Sequence, residues 1–155
     1  MKIGKGRREA AMSKHTVYFL DSHQHRGLMA EIWANRLELP DWDIRSAAWD
    51  QPHFNETPFQ VMKEVVWDIP EVQPRSYNPK VVSEADLIIA LHDGDLESAD
   101  IPSDLPAQKM LLCDIRNPEL RTSDEHEQWA IYQEICDEIA INIKNLEPYF
   151  RSNYM

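Results

Sequence analysis

Cysteine and glycine are the scarce residues of this chain. The only two cysteines, Cys113 and Cys136, sit inside apolar patterns without metal-finger spacing. They exclude a disulfide-stapled scaffold and a cysteine-ligated zinc domain, and read as buried free thiols. After residue 6 the only glycines are Gly27 and Gly94. A loop that wraps an oxyanion with backbone amides draws on glycine for positive φ or close approach, and this chain offers little of it. No apolar run exceeds a strand's length, so no membrane span is expected, and no cleavable signal with an apolar middle opens the chain. A cytoplasmic protein is the expectation. Positive charge is short too: 16 Lys and Arg stand against 27 Asp and Glu, for a net charge of −11. Residues 1–14 hold Lys2, Lys5, Arg7, Arg8 and Lys14 against Glu9 alone, a local +4 that leaves −15 for the remainder. So acidic a body repels a phosphate backbone, which argues against a nucleic-acid partner.

What remains is enough for one core in 155 residues. Residues 1–14 read as a flexible basic extension, with Met12 as an alternative start; residues 15–150 form the domain, and 151–155 a short tail. Thr16 to Leu20 is a buried-type strand, and Gly27 to Leu39 a helix stopped by Pro40. Ile44 to Ala48 is a second strand. Thr57-Pro58 opens a helix through Phe59, Met62 and Val65, whereas residues 69–80 read as irregular. Leu87 to Leu91 is apolar on both faces, as a central parallel strand must be, and Gln108 to Cys113 repeats the pattern. Thr122 and Glu125 have capping-box spacing ahead of a helix expected to stop before Pro148. Strands alternating with helices imply a parallel sheet covered on both faces.

One segment carries chemistry. Val17 to Leu20 is a strand, residues 21–25 (Asp-Ser-His-Gln-His) a short polar loop, and Arg26-Gly27-Leu28-Met29-Ala30-Glu31 an arginine running into a helix. This layout resembles the phosphate loop of the low-molecular-weight protein tyrosine phosphatase and thioredoxin-coupled arsenate reductase superfamily. The likeness extends through Ile44-Arg45-Ser46-Ala47-Ala48, Met62 to Pro70 and Ser83 to Leu91. It implies a flavodoxin-like three-layer α/β fold, with a four-stranded parallel sheet in the order 2-1-3-4.

The family's nucleophile is a cysteine five loop residues before the arginine. Counting back from Arg26 places Leu20 there, or Asp21 if the loop is one residue shorter. The family's general acid is an aspartate directly before a proline, and the matching pair here is Asn117-Pro118. An amide has no proton to give a leaving oxygen. Arsenate reductases add two cysteines after the third strand, and residues 92–106 have none. A degenerate member is therefore expected: no catalytic residue by the family mechanism, and a role in binding a protein, an anion or a phosphorylated ligand.

Arg26, with Ser22 and Gln24, is the expected anion site; alternatively Arg26 pairs with Asp21 or Asp114. Ligands gather at the carboxyl ends of strands where strand order reverses. The loops starting at Asp21, His92 and Asp114 should therefore meet, offering His23, His25, His92, Asp21 and Asp93, with Asp95 and Asp114 near, as ligands for a divalent metal. The competing expectation is thus rebuilt enzymology, either metal-assisted hydrolysis or phosphotransfer with Asp21 as nucleophile. Otherwise no cofactor is expected. Trp42, Trp49, Trp67, His53 and Phe54, in or beside proline-rich connections, are candidates for a partner surface.

Overall fold

The computed structural model describes residues 14–152; the expected basic extension, apart from Lys14, and most of the tail lie outside that span. Among these residues four strands and five α-helices follow in chain order: β1 (His15–Asp21), α1 (His25–Asn35), β2 (Trp42–Ala48), α2 (Glu56–Lys63), α3 (Pro79–Ser83), β3 (Leu87–His92), β4 (Met110–Asp114), α4 (Pro118–Arg121) and α5 (Glu125–Ser152). The strands form one sheet in the order β2-β1-β3-β4. Every pairing is parallel, with Val17 opposite Ile44 on one side and Leu87 on the other. This is the flavodoxin-like arrangement.

Period-2 alternation divides the core in two. Val17, Phe19, Leu87, Ile89 and Leu91 face the larger layer, where α1, α2 and α5 bury Met29, Ile32, Met62, Tyr132, Ile135 and Ile139. Leu20, Ala47 and Ile88 face the opposite side and pack on Val82, Ala85 and Leu105. Leu20 is fully buried in that second layer, so the residue at the nucleophile's position by count is a core side chain.

Local chemistry moves several helix ends from their expected places. Asn55, in extended conformation, caps α2 by accepting from the Thr57 amide at 3.0 Å, so Thr57 falls inside the first turn. Asn78 and Pro79 start α3 within the stretch expected to be irregular. At α5, Asp124 Oδ1 accepts from the Glu127 amide at 2.9 Å, while Thr122 Oγ1 accepts from the Asp124 amide at 3.1 Å. The functional cap therefore sits two residues beyond the expected threonine.

The helix also continues through Pro148 to Ser152. An interior proline costs about 3 kcal/mol; what offsets it is tertiary. Phe150 is buried, its ring meets Trp42 edge-on at 4.9 Å, and its carbonyl accepts from Trp42 Nε1 at 2.9 Å. Trp42 is itself buried, so this candidate surface aromatic is a core anchor, and Trp49 packs at the edge of the second core layer. Phe54 and Trp67 are exposed, at 78% and 96%. No helix among the described residues is long and apolar enough to cross a membrane.

The Trp42 anchor gives a direct test. Trp42→Ala is expected to lower stability by about 3–5 kcal/mol in chemical denaturation. Amide exchange should rise first in the turn after Pro148. Trp42→Phe, which keeps a ring but loses the donor, should cost distinctly less.

Candidate functional site

The loop between β1 and α1 is held by carboxylates of the protein itself. Asp21, 1% exposed, closes the strand and turns its side chain onto the start of α1. Its Oδ2 accepts from the Arg26 amide at 2.9 Å and its Oδ1 from the Gly27 amide at 3.1 Å. Unpaired amides and the positive helix terminus favour an anion at this point, and the anion is Asp21. Gly27 makes room for it, because a Cβ there would lie 3.0 Å from Asp21 Oδ1. Gly94 does the same for Asp114, whose Oδ1 accepts the Gly94 amide at 2.8 Å. Both glycines serve close approach of an internal carboxylate.

Gln24 fixes the loop's curvature. Its φ of 69° is in the left-handed region, unusual for a residue with a Cβ. The conformation is held by its side chain: Nε2 donates to the Gln73 carbonyl at 2.9 Å and to Ser46 Oγ at 3.0 Å, and Oε1 accepts from the Arg75 amide at 2.8 Å. Gln24, expected beside an anion, is instead a buried cross-link between the loop and the segment after α2.

Arg26 has its guanidinium fork filled. Nη1 and Nη2 donate to the two oxygens of Glu97 at 2.8 and 3.0 Å, Nη1 also to the Ile115 carbonyl at 3.0 Å, and Nε lies 3.4 Å from Asp21 Oδ2. Ser22 Oγ, at 3.4 Å from Nη2, completes the set. Arg26, Asp21 and Glu97 are each 1% exposed. Of the two expected partners, Asp21 is present and Asp114 is not; Glu97 is the dominant one. Glu97 further accepts from the Asp93 amide and from Asn117 Nδ2, both at 2.8 Å. Burial alone would raise its pKa, but Arg26 above all, with these two donors, holds it below the usual glutamate value. Asn117, the residue matched by resemblance to the family's acid, therefore donates to Glu97, while its Oδ1 caps α4 through the Glu119 amide. Asp93 is locked in turn: Arg121 Nε and Nη2 each reach it at 2.7 Å. Against the opposing effect of burial, that pairing lowers its pKa.

The segment after β2 returns along the loop and builds a second feature. Trp49 and Asp50 amides donate to the carbonyls of Asp21 and Ser22 at 3.0 and 3.1 Å. His23 Nδ1 donates to the Gln51 carbonyl at 2.8 Å, and His25 Nε2 to that of His53 at 3.0 Å. The three imidazoles then cluster, with ring centroids 4.4 Å apart for His23 and His53 and 4.8 Å for His25 and His53. Glu119 comes up from α4: Oε1 is 3.5 Å from His25 Nδ1, and Oε2 is 3.8 Å from His53 Nε2. Burial disfavours charge on His25, yet the Glu119 carboxylate, with Asp21 and the His53 carbonyl, raises its pKa. Beside this cluster opens a cleft of about 360 Å³ whose walls include Leu28, Pro52, Phe54, Phe59, Val72 and Pro74.

The structure thus divides the expected metal set. Among the described residues, the group of His, Cys, Asp and Glu close enough to share an ion is His25, His53 and Glu119. His25 alone is common to both sets. Asp21 and Asp93 are committed to Arg26 and Arg121, and His92 is buried at the end of β3 with no partner for Nδ1. His53, named only as a candidate surface residue, was missed as a ligand because the loop after β2 was not among those expected to meet, and Glu119 because it lies on α4, beyond the loop that starts at Asp114. Neither cysteine is in the loop sequence; burial pushes the Cys113 thiol up to about 11 and that of Cys136 in the same direction.

No protein-family model matches the chain. Curated relatives do. The arsenate reductase of Bacillus licheniformis is 34% identical over 135 residues, covering 86% of this chain and 95% of its own. That of Halalkalibacterium halodurans is 28% identical over the same coverage. Among solved structures, a low-molecular-weight phosphotyrosine phosphatase from Vibrio cholerae O395 superposes with a TM-score of 0.72 at 18% identity, over 91% of this chain and 99% of that one. A thioredoxin-dependent arsenate reductase from Corynebacterium glutamicum gives 0.66 at 20% identity, over 94% and 66%. The architecture is that of the low-molecular-weight phosphatase-like proteins. Within that class, the chain belongs to the arsenate reductase family.

The Arg26 network sets a pH dependence. The native pKa of Glu97 is depressed, so its contribution is present above the unfolded value of 4.5 and is lost as pH falls through the lower native one. Glu97→Gln is expected to flatten the acid side of the stability profile below pH 4.5. Glu97→Ala, which leaves the buried Arg26 fork without its bidentate carboxylate and only Asp21 beside Nε, should cost about 3–5 kcal/mol. Denaturant melts from neutral to acid pH on the three proteins measure both effects.

Proposed function

We propose that this family member does not work by thiolate chemistry and acts as a binding protein, with its ligand held in the cleft beside residues 21–26. The observation that carries this reading is the fork of Arg26 closed on Glu97. In the family mechanism that arginine holds the substrate oxyanion while a loop thiolate attacks. Here the chain supplies the anion, the loop supplies no thiol, and the residue before Pro118 is an amide. Asp21 does not replace the nucleophile, since both of its oxygens are engaged by α1 amides inside the core. The cleft, with proline and aromatic walls and the exposed Phe54 at its edge, suits an apolar side chain of a protein partner better than a free phosphate. An acidic body without a transmembrane helix among the described residues fits a cytoplasmic role of this kind.

Arsenate reduction, the activity in the relatives' names, is the competing reading. It requires Cys113 or Cys136 to act as nucleophile, and both thiols are shifted away from the reactive thiolate. Neither aryl-phosphate hydrolysis nor thioredoxin-dependent arsenate reduction is expected. Activity that disappears in Cys113→Ser or Cys136→Ser would overturn the noncatalytic reading. Phosphate is expected to leave the thermal melt of the natural protein unmoved. It should raise the melting temperature of Glu97→Ala, whose Arg26 is released to take an external anion. A phosphate-dependent shift in the natural protein that vanishes in Arg26→Ala would show instead that the arginine is open.

A further inference from the structure

We propose that His25, His53 and Glu119 form a binding site for a divalent transition metal of the zinc class. Two imidazole nitrogens and a carboxylate are an ordinary donor set for such an ion, and three protein ligands leave a coordination position open. A tetrahedral zinc centre with bonds of about 2.0–2.2 Å places its ligand atoms roughly 3.3–3.6 Å apart. His25 Nδ1 stands 3.5 Å from Glu119 Oε1 and His53 Nε2 3.8 Å from Glu119 Oε2, and one ligand atom from each of the three residues can be taken such that all lie within 4.8 Å of one another. Small side-chain movements would close the shell.

The surroundings favour coordination on independent grounds. His25 donates its Nε2 proton to the His53 carbonyl at 3.0 Å, which leaves Nδ1 as the lone-pair nitrogen. That is the usual outer-shell arrangement of a ligating histidine, with the far nitrogen on a backbone carbonyl. The Nδ1 lone pair and the Glu119 carboxylate then face each other, and a cation between them, metal or proton, removes the repulsion. Asn55 Nδ2 donates to Glu119 Oε2 at 3.2 Å and orients the carboxylate. The Tyr132 hydroxyl stands 3.4 Å from His25 Nδ1, a long contact that an ion on that lone pair would displace. His25 is buried and held, whereas His53 is exposed and free to adjust. His25 and His53 both line the cleft, so the ion would sit at its wall, within reach of an anionic or nitrogen donor on a bound ligand. Metal binding does not depend on the noncatalytic reading, because Arg26 and Glu97 take no part in this cluster.

The experiment uses the untagged full chain and zinc ion alone. Metal-free protein is titrated against a chromophoric zinc chelator, then loaded with cobalt(II) to read the visible absorption of a tetrahedral site. One equivalent of zinc per chain is expected, with affinity falling at least tenfold in His53→Ala and in Glu119→Gln and unchanged in His126→Ala, an exposed histidine of α5. His53→Ala alters an exposed side chain, so it remains informative if Glu119→Gln unfolds. Absence of stoichiometric zinc in the natural protein would mean that a proton alone bridges His25 and Glu119, and would overturn the site. So would equal affinity in the natural protein and His53→Ala.

Discussion

The bidentate pair between Arg26 and Glu97 is the constraint on which the rest of this site depends. A guanidinium 1% exposed between β1, the segment after β3 and the turn after β4 cannot be left without a counter-charge. Once Glu97 supplies it, the positions of Asp93, Asn117 and Arg121 follow, because Glu97 also takes the Asp93 amide and the Asn117 side chain, and Asp93 takes Arg121. Residues spread from β1 to α4 are thereby tied into one polar cluster at the carboxyl edge of the sheet.

The same edge of the fold has two devices for holding an oxyanion, a buried arginine fork and the amides at the start of α1. Each is filled by an internal carboxylate, Glu97 in the first and Asp21 in the second. Both devices are satisfied from within the chain. The charges and amides that would otherwise be buried without partners are thereby satisfied. The feature left open toward solvent is the histidine-rimmed cleft next to the loop.

The sheet was legible in the sequence because its central strands announce themselves. β3 is apolar at every position from Leu87 to Leu91, and such a run suits only a strand buried on both faces. The loop with Arg26 at the start of its helix was legible from local spacing. Glu97 was not, since it lies 71 residues from Arg26 in a stretch without periodicity, and pattern reading has no term for so distant a partner. His53 was hidden for a related reason: the path of residues 49–53 back along the loop is set by backbone hydrogen bonds to Asp21 and Ser22 that no side chain signals. The run of α5 through Pro148 shows local propensity overruled by the Trp42 to Phe150 contact.

The central claim is that Arg26 is bound to the protein's own carboxylate and not to an external oxyanion. A high-resolution crystal structure of the natural protein grown in concentrated phosphate tests it most directly. The expected result is a guanidinium still bidentate to Glu97, with no tetrahedral density in the loop formed by residues 21–26. Phosphate seated on Arg26, with the Glu97 side chain swung away, would contradict the account.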